Sequence, residues 1–507
     1  MLLRYTASID NTIVNAYQPN LKTRGTGANA GQADILEVFS IYGRETTSSQ
    51  GLSRGLIQFP IDTISADRSV GTIPAAGEVN FYLRMYNAPT SRTVPIEYKL
   101  CVHRITQEWQ EGVGLDLEGY ADLVKGQIGS NWIQRMKEDN GNISNWTDVG
   151  GTYSTATDEW FEQSFSTGLE DLEINITPLV EKWIDATANY GMLIKLSSSY
   201  EASASQAYVD SDSNVILNPA GAQDSYYTKR FFARGTQYFY KRPSLEARWK
   251  DAIRDDRANF HYSSSRAPAG DNLNTLYFYN IIRGKLANIP SVGTGEILVS
   301  LYSGSSDDSA PSGSKLTLYD GNLNITGGYV STGIYSCSVA IASVAPPIET
   351  LYDVWHSASV DYYTGSLSPK TISTGDTTSE TVYYLNIKNF KEFYSNKEIV
   401  RLNVYSRAKD WQPTIYTVAN NTPQVLPIMS GSYRVYRLLD GYEVISYDTS
   451  SLEATGLSYD VNGNYFKFDM SLLQPGYAYG FQFAIYDDTR KSWQEQDRVF
   501  KFKVAEF

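Results

Sequence analysis

The chain has 507 residues, with 43 Lys and Arg against 56 Asp and Glu, for a formal charge of -13 at pH 7. That length exceeds what one hydrophobic core serves, so roughly two to four domains are expected, and a 42% hydrophobic, 20% charged composition excludes a disordered chain. The negative balance argues against duplex nucleic acid, whose phosphates need a basic face, and no run of about 18 apolar residues provides a membrane helix.

Residues Met1 to Ser8 contain no apolar signal core, so Sec export is not expected. A first block, 1–250, is dominated by strand signals. Arg54-Gly-Leu-Ile-Gln-Phe reads as a buried strand that begins with a charged residue at a sandwich edge. Phe81, Leu83 and Met85 alternate as inward positions, as do Leu100, Val102 and Arg104 or their complement. Thr177-Pro-Leu-Val-Glu-Lys-Trp-Ile-Asp predicts a short helix, with Thr177 as N-cap, Pro178 at the first helical position, and Leu179, Val180, Trp183 and Ile184 along one face. The run from Pro243 to Arg254 fits either a second helix or a terminal strand.

The polar stretch 251–272 is read as a linker. A second block, 273–381, begins with Leu276-Tyr-Phe-Tyr, continues through Glu296-Ile-Leu-Val-Ser-Leu-Tyr and fades in the polar run Thr371–Glu380; it suggests an Ig-like sandwich. The third, 382–507, restarts at Val382-Tyr-Tyr-Leu-Asn-Ile and carries the strict alternation of Tyr477, Tyr479, Phe481, Phe483 and Ile485. Within it, Leu473-Gln-Pro-Gly-Tyr-Ala-Tyr479 has the spacing of a tyrosine corner, in which Tyr479 would bond back to the backbone; a plain hairpin turn at Pro475-Gly476 is the other reading.

Segments of the first block recur in a recognisable order. Ile9-Asp-Asn-Thr-Ile-Val is followed by Ser53-Arg-Gly-Leu-Ile-Gln-Phe, by Lys99-Leu-Cys-Val-His-Arg with Trp109, by Asn145-Trp-Thr-Asp-Val-Gly-Gly151, and by Leu172-Glu-Ile-Asn-Ile-Thr-Pro-Leu-Val-Glu-Lys-Trp-Ile. Over nearly 200 residues this resembles the DNRLRE-type domain, a jelly-roll β-sandwich related to carbohydrate-binding modules and found in bacterial surface proteins and tailed-phage virion proteins. Such domains usually close with Ser-Arg-Glu; here Phe232-Ala-Arg-Gly-Thr236 stands there, without the Glu. The second and third blocks resemble the adhesion-style sandwiches appended to tailed-phage structural proteins. The resemblance implies an all-β chain, an N-terminal jelly roll followed by two Ig-like or fibronectin-like sandwiches.

Residues that could carry chemistry are sparse. Cys101 and Cys337 are expected as buried free thiols. His103, His261 and His356 fall in separate segments, where neither a Ser-His-Asp triad nor a zinc site would form without long-range convergence. Glu108, Glu111, Asp116 and Glu118 form the densest acidic group; a solvated loop is one reading and structural Ca2+ another. Asp210-Ser-Asp-Ser-Asn214 begins like an EF-hand loop but has Val215 at the turn-glycine position, and is set aside. Trp109, Trp132, Trp146 and Trp183 read as core plugs, with sugar stacking as the alternative. Trp109, Trp183 and Tyr479 are taken as the key structural side chains, and no cofactor is expected.

Three function classes follow. The first is a structural protein located in a tailed-phage virion, in the neck, collar, tail or a fibre, whose partners are other virion proteins and copies of itself. The second is an adhesion protein that binds surface polysaccharide through aromatics on one sandwich face. The third is a polysaccharide-degrading enzyme built on two carboxylates. A membrane is not expected as a partner.

Overall fold

The computed structural model describes residues 1–43, 49–115, 117–120, 128–137, 141–205, 215–305, 310–342, 347–371, 382–412, 414–415 and 425–506. Among them, two α-helices, Ile61–Ser69 and Thr177–Ile184, interrupt a chain made otherwise of strands, short 3-10 turns and connections. The chain divides into two compact units, Leu2–Lys250 and Asp251–Phe507 together with Met1.

In the first unit, Leu2–Thr6, Ser244–Trp249, Val79–Met85 and Leu172–Asn175 make a four-stranded sheet in that order. The second sheet runs Tyr226–Phe232, Ile35–Gly43, Ser49–Gln58, Met192–Leu196, Tyr98–Arg104 and Trp160–Phe165, and Ile9–Val14 pairs with Ser49–Gln58 as its seventh strand. The registered pairs are antiparallel, and apart from the hairpin of Ile35–Gly43 with Ser49–Gln58 most join strands distant in sequence, the winding of a jelly roll. Phe81, Leu83, Met85, Leu100 and Val102 are fully buried. Arg104 does not join them; it is half-buried and paired with Glu159 at 2.9 Å.

Arg54 is not at a sandwich edge: the strand starts at Ser49, so Arg54 lies in its interior at 1% exposure. Thr177 opens its helix without capping it. Ile176 is the N-cap residue, while the Thr177 hydroxyl accepts from the Phe81 amide at 2.8 Å and donates to Asn175 at 2.7 Å. The helix therefore spends its first hydroxyl on docking to Val79–Met85, and Leu179, Val180 and Trp183 are its buried residues. The run after Pro243 resolves as the strand Ser244–Trp249. Helix Ile61–Ser69 was not legible, because it buries only Ile61 and Ile64 and so has almost no apolar stripe.

In the second unit, Asn274–Tyr279, Ile334–Val339 and Ile325–Ser331 form one half of a six-stranded sheet, and Ile297–Gly304, Thr350–Ser357 and Val360–Leu367 form the other. Three registered pairs, Ile297–Val299 with Ile325–Gly327, join the halves. Leu276, Phe278, Tyr335, Val299, Leu301, Leu351 and Trp355 fill one core contributed by both halves.

The stretch 251–272, read as a linker, is instead built into this unit. Phe260 and Tyr262 belong to that core at 0% and 2% exposure. Upstream, Ile253 and Asp255 bracket Tyr459 as a short parallel bridge, with Tyr459 N to Ile253 O at 2.9 Å and Asp255 N to Tyr459 O at 3.0 Å. Arg254 bonds both oxygens of Glu453, and the buried Arg257 pairs with the buried Asp353. The polar composition that suggested a linker reflects charges that have partners in the fold.

The last sandwich has the sheet Tyr383–Ile387, Ile399–Ala408, Gly463–Asp469, Ser458–Asp460, opposite the sheet Phe393–Ser395, Phe500–Ala505, Ala478–Asp487, Gly431–Arg437, Glu443–Ile445. Only Phe393–Ser395 runs parallel to its neighbour among the named strands, and Ser492–Glu495 also pairs with Ala478–Asp487. Four strands facing a sheet in which an early segment joins the last strand in parallel is immunoglobulin-like topology. In place of an inter-sheet disulfide, Tyr433, Phe466, Phe468, Phe481 and Phe502 form a chain of ring contacts at 4.5–6.4 Å. The expected boundary at 381/382 lies outside the described residues.

Candidate functional site

The seven-stranded sheet of the first unit has a second face. Period two places Ile13 beside Arg54, Leu56 beside Leu193, Lys195 beside Cys101, Leu193 beside His103, and His103 beside Trp160 on it. An antiparallel sheet normally leaves such a face to water. Here Ile105, Trp109, Trp132 and Trp146 cover part of it, forming a second core with Ile13, Leu52, Leu56 and Leu193. The cover takes two cations out of solvent along with the apolar residues.

Those cations share one carboxylate. Arg54 Nη2 reaches the two oxygens of Glu201 at 3.0 and 3.2 Å, and Nη1 donates to Gly150 O at 2.9 Å. Lys195 Nζ lies 3.2 Å from Glu201 and donates to Leu196 O at 2.8 Å. Burial works to raise the Glu201 carboxyl, but Arg54 and Lys195 outweigh it and hold the group below its ordinary value. The Lys195 ammonium is lowered, because burial exceeds the attraction of Glu201. The Arg54 guanidinium also lies 5.3 Å from the Trp132 ring and 5.7 Å from that of Tyr153.

Beside this cluster lies a cavity of about 500 Å3, lined in part by Arg54, Thr147, Asp148, Gly151, Tyr153 and Thr155. Gly151 lines it, and Gly150 precedes that residue in the chain. A Cβ on Gly150 would stand 2.8 Å from the Trp132 ring, one on Gly151 would stand 2.6 Å from Leu193 Cδ1, and both residues have positive φ, 78° and 95°. Tyr153 is half-buried with its ring 4.5 Å from that of His103, which in turn stacks on Trp160 at 5.9 Å. Trp160 is 42% exposed, so the row ends in an open ring. Burial lowers His103 to about 4, and its Nδ1 lies 3.0 Å from Ser154 O. A fixed guanidinium, hydroxyls, one carboxylate and aromatic faces together are suited to holding a polyhydroxylated ligand.

Of the residues singled out from sequence, Trp109 is 5% exposed and donates from Nε1 to Tyr190 O at 2.8 Å, within the same core as Trp132 and Trp146. Trp183 is separate, on its helix at 4% exposure, with a buried Nε1 that finds no hydrogen-bond partner. Tyr479, fully buried in the last sandwich, donates its hydroxyl to Gln474 O at 2.7 Å, five residues upstream at the start of Ala478–Asp487. Cys101 and Cys337 are buried free thiols. Trp160, Lys195 and Glu201 were missed, because Trp160 meets His103 only through strand register and Glu201 reaches Arg54 and Lys195 from a loop.

The acidic group resolves only in part, since Asp116, the Glu118 side chain and loop 210–214 lie outside the described residues. Glu111 accepts from Asp10 N at 3.0 Å and from Arg234 at 2.8 Å, and Asp10 accepts from Arg234 N at 2.5 Å. Asp10 Oδ1 is buried with no partner, and burial pushes this carboxyl up to about 7. No three His, Cys, Asp or Glu side chains converge as a metal site among the described residues. His356 Nε2 lies 2.8 Å from Ser300 Oγ, but Ser300 is fully buried and donates to Asn324 at 2.9 Å, which makes the pair structural.

The strand order defines a multi-domain β-sandwich protein. No family model matches the chain, and no curated protein does. Among solved structures, it is similar to the N-terminal Ig1-2 module of the Drosophila receptor protein tyrosine phosphatase DLAR, at 8% identity over 46% of this chain and 90% of that one, with a TM-score of 0.14. The fold assignment rests on the pairing of the strands and not on that likeness.

Proposed function

We propose that this chain is a non-enzymatic structural protein of a tailed-phage virion, a component of the neck, collar, tail or a fibre that works in multiple copies through the faces of its sandwiches. The observation that carries the reading is the stretch 251–263. It bridges to Tyr459 in the last sandwich and supplies Phe260 and Tyr262 to the core of the preceding one, so two sandwiches share one segment. A shared segment stiffens a spacer, and stiffness is what a load-bearing or distance-setting part requires. Sedimentation velocity of the full chain at micromolar concentration tests this. A discrete oligomer that persists on dilution supports it, and a monomer at every concentration removes it.

A second reading, an adhesion protein for surface polysaccharide, is favoured by the cavity beside Arg54 with its Tyr153–His103–Trp160 row. Affinity electrophoresis through polysaccharide-containing gels tests it with Trp160→Ala, a change at an exposed ring that should abolish retardation. Retardation unchanged by the substitution removes this reading.

A further inference from the structure

We propose that the outer face of the four-stranded sheet in the last sandwich is a binding surface for an acidic polysaccharide, separate from the cavity of the first unit and going beyond the function proposed above. Period two puts Tyr384, Asn386 and Lys388 on one face of Tyr383–Ile387 and its continuation, beside Arg401, Asn403, Tyr405 and Arg407 of the neighbouring strand. Across the next ladder, Lys467 stands opposite Arg401. Arg498 joins from the edge, donating to Leu385 O at 2.8 Å and to Asn386 at 3.1 Å. Five cations, Lys388, Arg401, Arg407, Lys467 and Arg498, thus share this face with Asp460, which pairs with Arg401 at 2.8 Å, and Asp469 at the end of the ladder. At the Asp460 end Tyr465 is only 3% exposed and Asp255 adds a further negative charge, so the open part of the face is the side of Lys388, Arg407, Lys467 and Arg498. This is a local reversal of sign in a chain of net charge -13.

The aromatic rings decide which chemistry fits. Arg401 lies 3.6 Å from the Tyr465 ring, Arg407 4.9 Å and Arg498 5.7 Å from that of Tyr384, and Lys388 5.3 Å from that of Tyr405. Rings covered by cations offer little face for stacking a neutral sugar, whereas stacked guanidinium planes are held ready for carboxylate or sulfate oxygens. Arg401 and Arg407 are six residues apart on one strand, about 20 Å, a reach that suits several charged units of an extended polymer and not one small anion. Charge complementarity therefore selects a linear polyanion.

The test is affinity electrophoresis of the full chain in gels containing dextran sulfate, dextran or neither. Dextran sulfate should retard the wild type despite its net negative charge, dextran should not, and added salt should weaken the effect. Lys388→Gln/Lys467→Gln, which changes two exposed lysines, and separately Arg407→Gln should each weaken retardation at least about threefold at an unchanged unfolding midpoint. No retardation by dextran sulfate, equal retardation by dextran, or retardation indifferent to both variants overturns the proposal. A single-stranded oligo-dT that binds more tightly than dextran sulfate also overturns it, as does loss of self-association in the variants with dextran sulfate ignored.

Discussion

Arg54 and Lys195 are buried with Glu201 as their shared counter-ion, and a low-dielectric site punishes an unpaired charge more than it rewards a paired one. Glu201→Gln should therefore destabilise the first unit by about 3–5 kcal/mol, read as a drop in the midpoint of urea unfolding; a change of a few tenths would mean the cluster is wetter than its burial indicates. Two titrations in the first unit oppose each other in their effect on its stability. Asp10 has a folded pKa of about 7, above its ordinary 3.8, so its contribution to stability is complete below 3.8 and is lost as pH rises through 7. His103 has a folded pKa of about 4, below its ordinary 6.5, so its contribution is complete above 6.5 and is lost as pH falls through 4. Between pH 4 and 7 the two slopes largely cancel. Asp10→Asn should leave stability rising with pH across that window, and His103→Asn should leave it falling, by at most about 3 and 4 kcal/mol respectively. Parallel profiles for both variants and the wild type would contradict this. None of these pairings was legible in the sequence, because Glu201 and Arg234 reach their partners from loops, and loop closure leaves no periodic trace.

Elements were legible where they obey a period. Phe81, Leu83 and Met85, Leu179, Val180 and Trp183 of the helix Thr177–Ile184, and Tyr479, Phe481, Phe483 and Ile485 are buried as alternation or helical spacing selects, whereas Ile184 and Tyr477 are only half-buried. The stretch 251–272 was misread because charge was equated with solvent, whereas Arg254, Arg257 and Asp256 each have a partner in the sandwiches. That difference has an experimental consequence. A fragment of residues 251–507 should unfold cooperatively, whereas a fragment of 273–507, lacking Phe260, Tyr262 and Arg257, should lose the preceding sandwich, with Asp353 left as an unpaired buried carboxylate. Equal unfolding midpoints for the two fragments, measured by circular dichroism, would return the stretch to the status of a linker.

At the scale of the whole chain, burial is spent on cores and shared segments, while cations and open rings are left on particular faces. The jelly roll keeps a row of rings that ends at Trp160, and the last sandwich keeps a cationic sheet face. Such a distribution suits a protein that holds other molecules by contact, repeated over many copies, since isologous or cyclic interfaces multiply weak faces into stable ones. The candidate faces were less legible than the fold because their residues come from separate strands and meet only through register.

The most direct measurement is the particle mass of the full chain by mass photometry over a hundredfold range of concentration at physiological salt. One dominant oligomer, of two or more whole chains of 56.7 kDa each, should survive dilution. A single-chain mass throughout would contradict it.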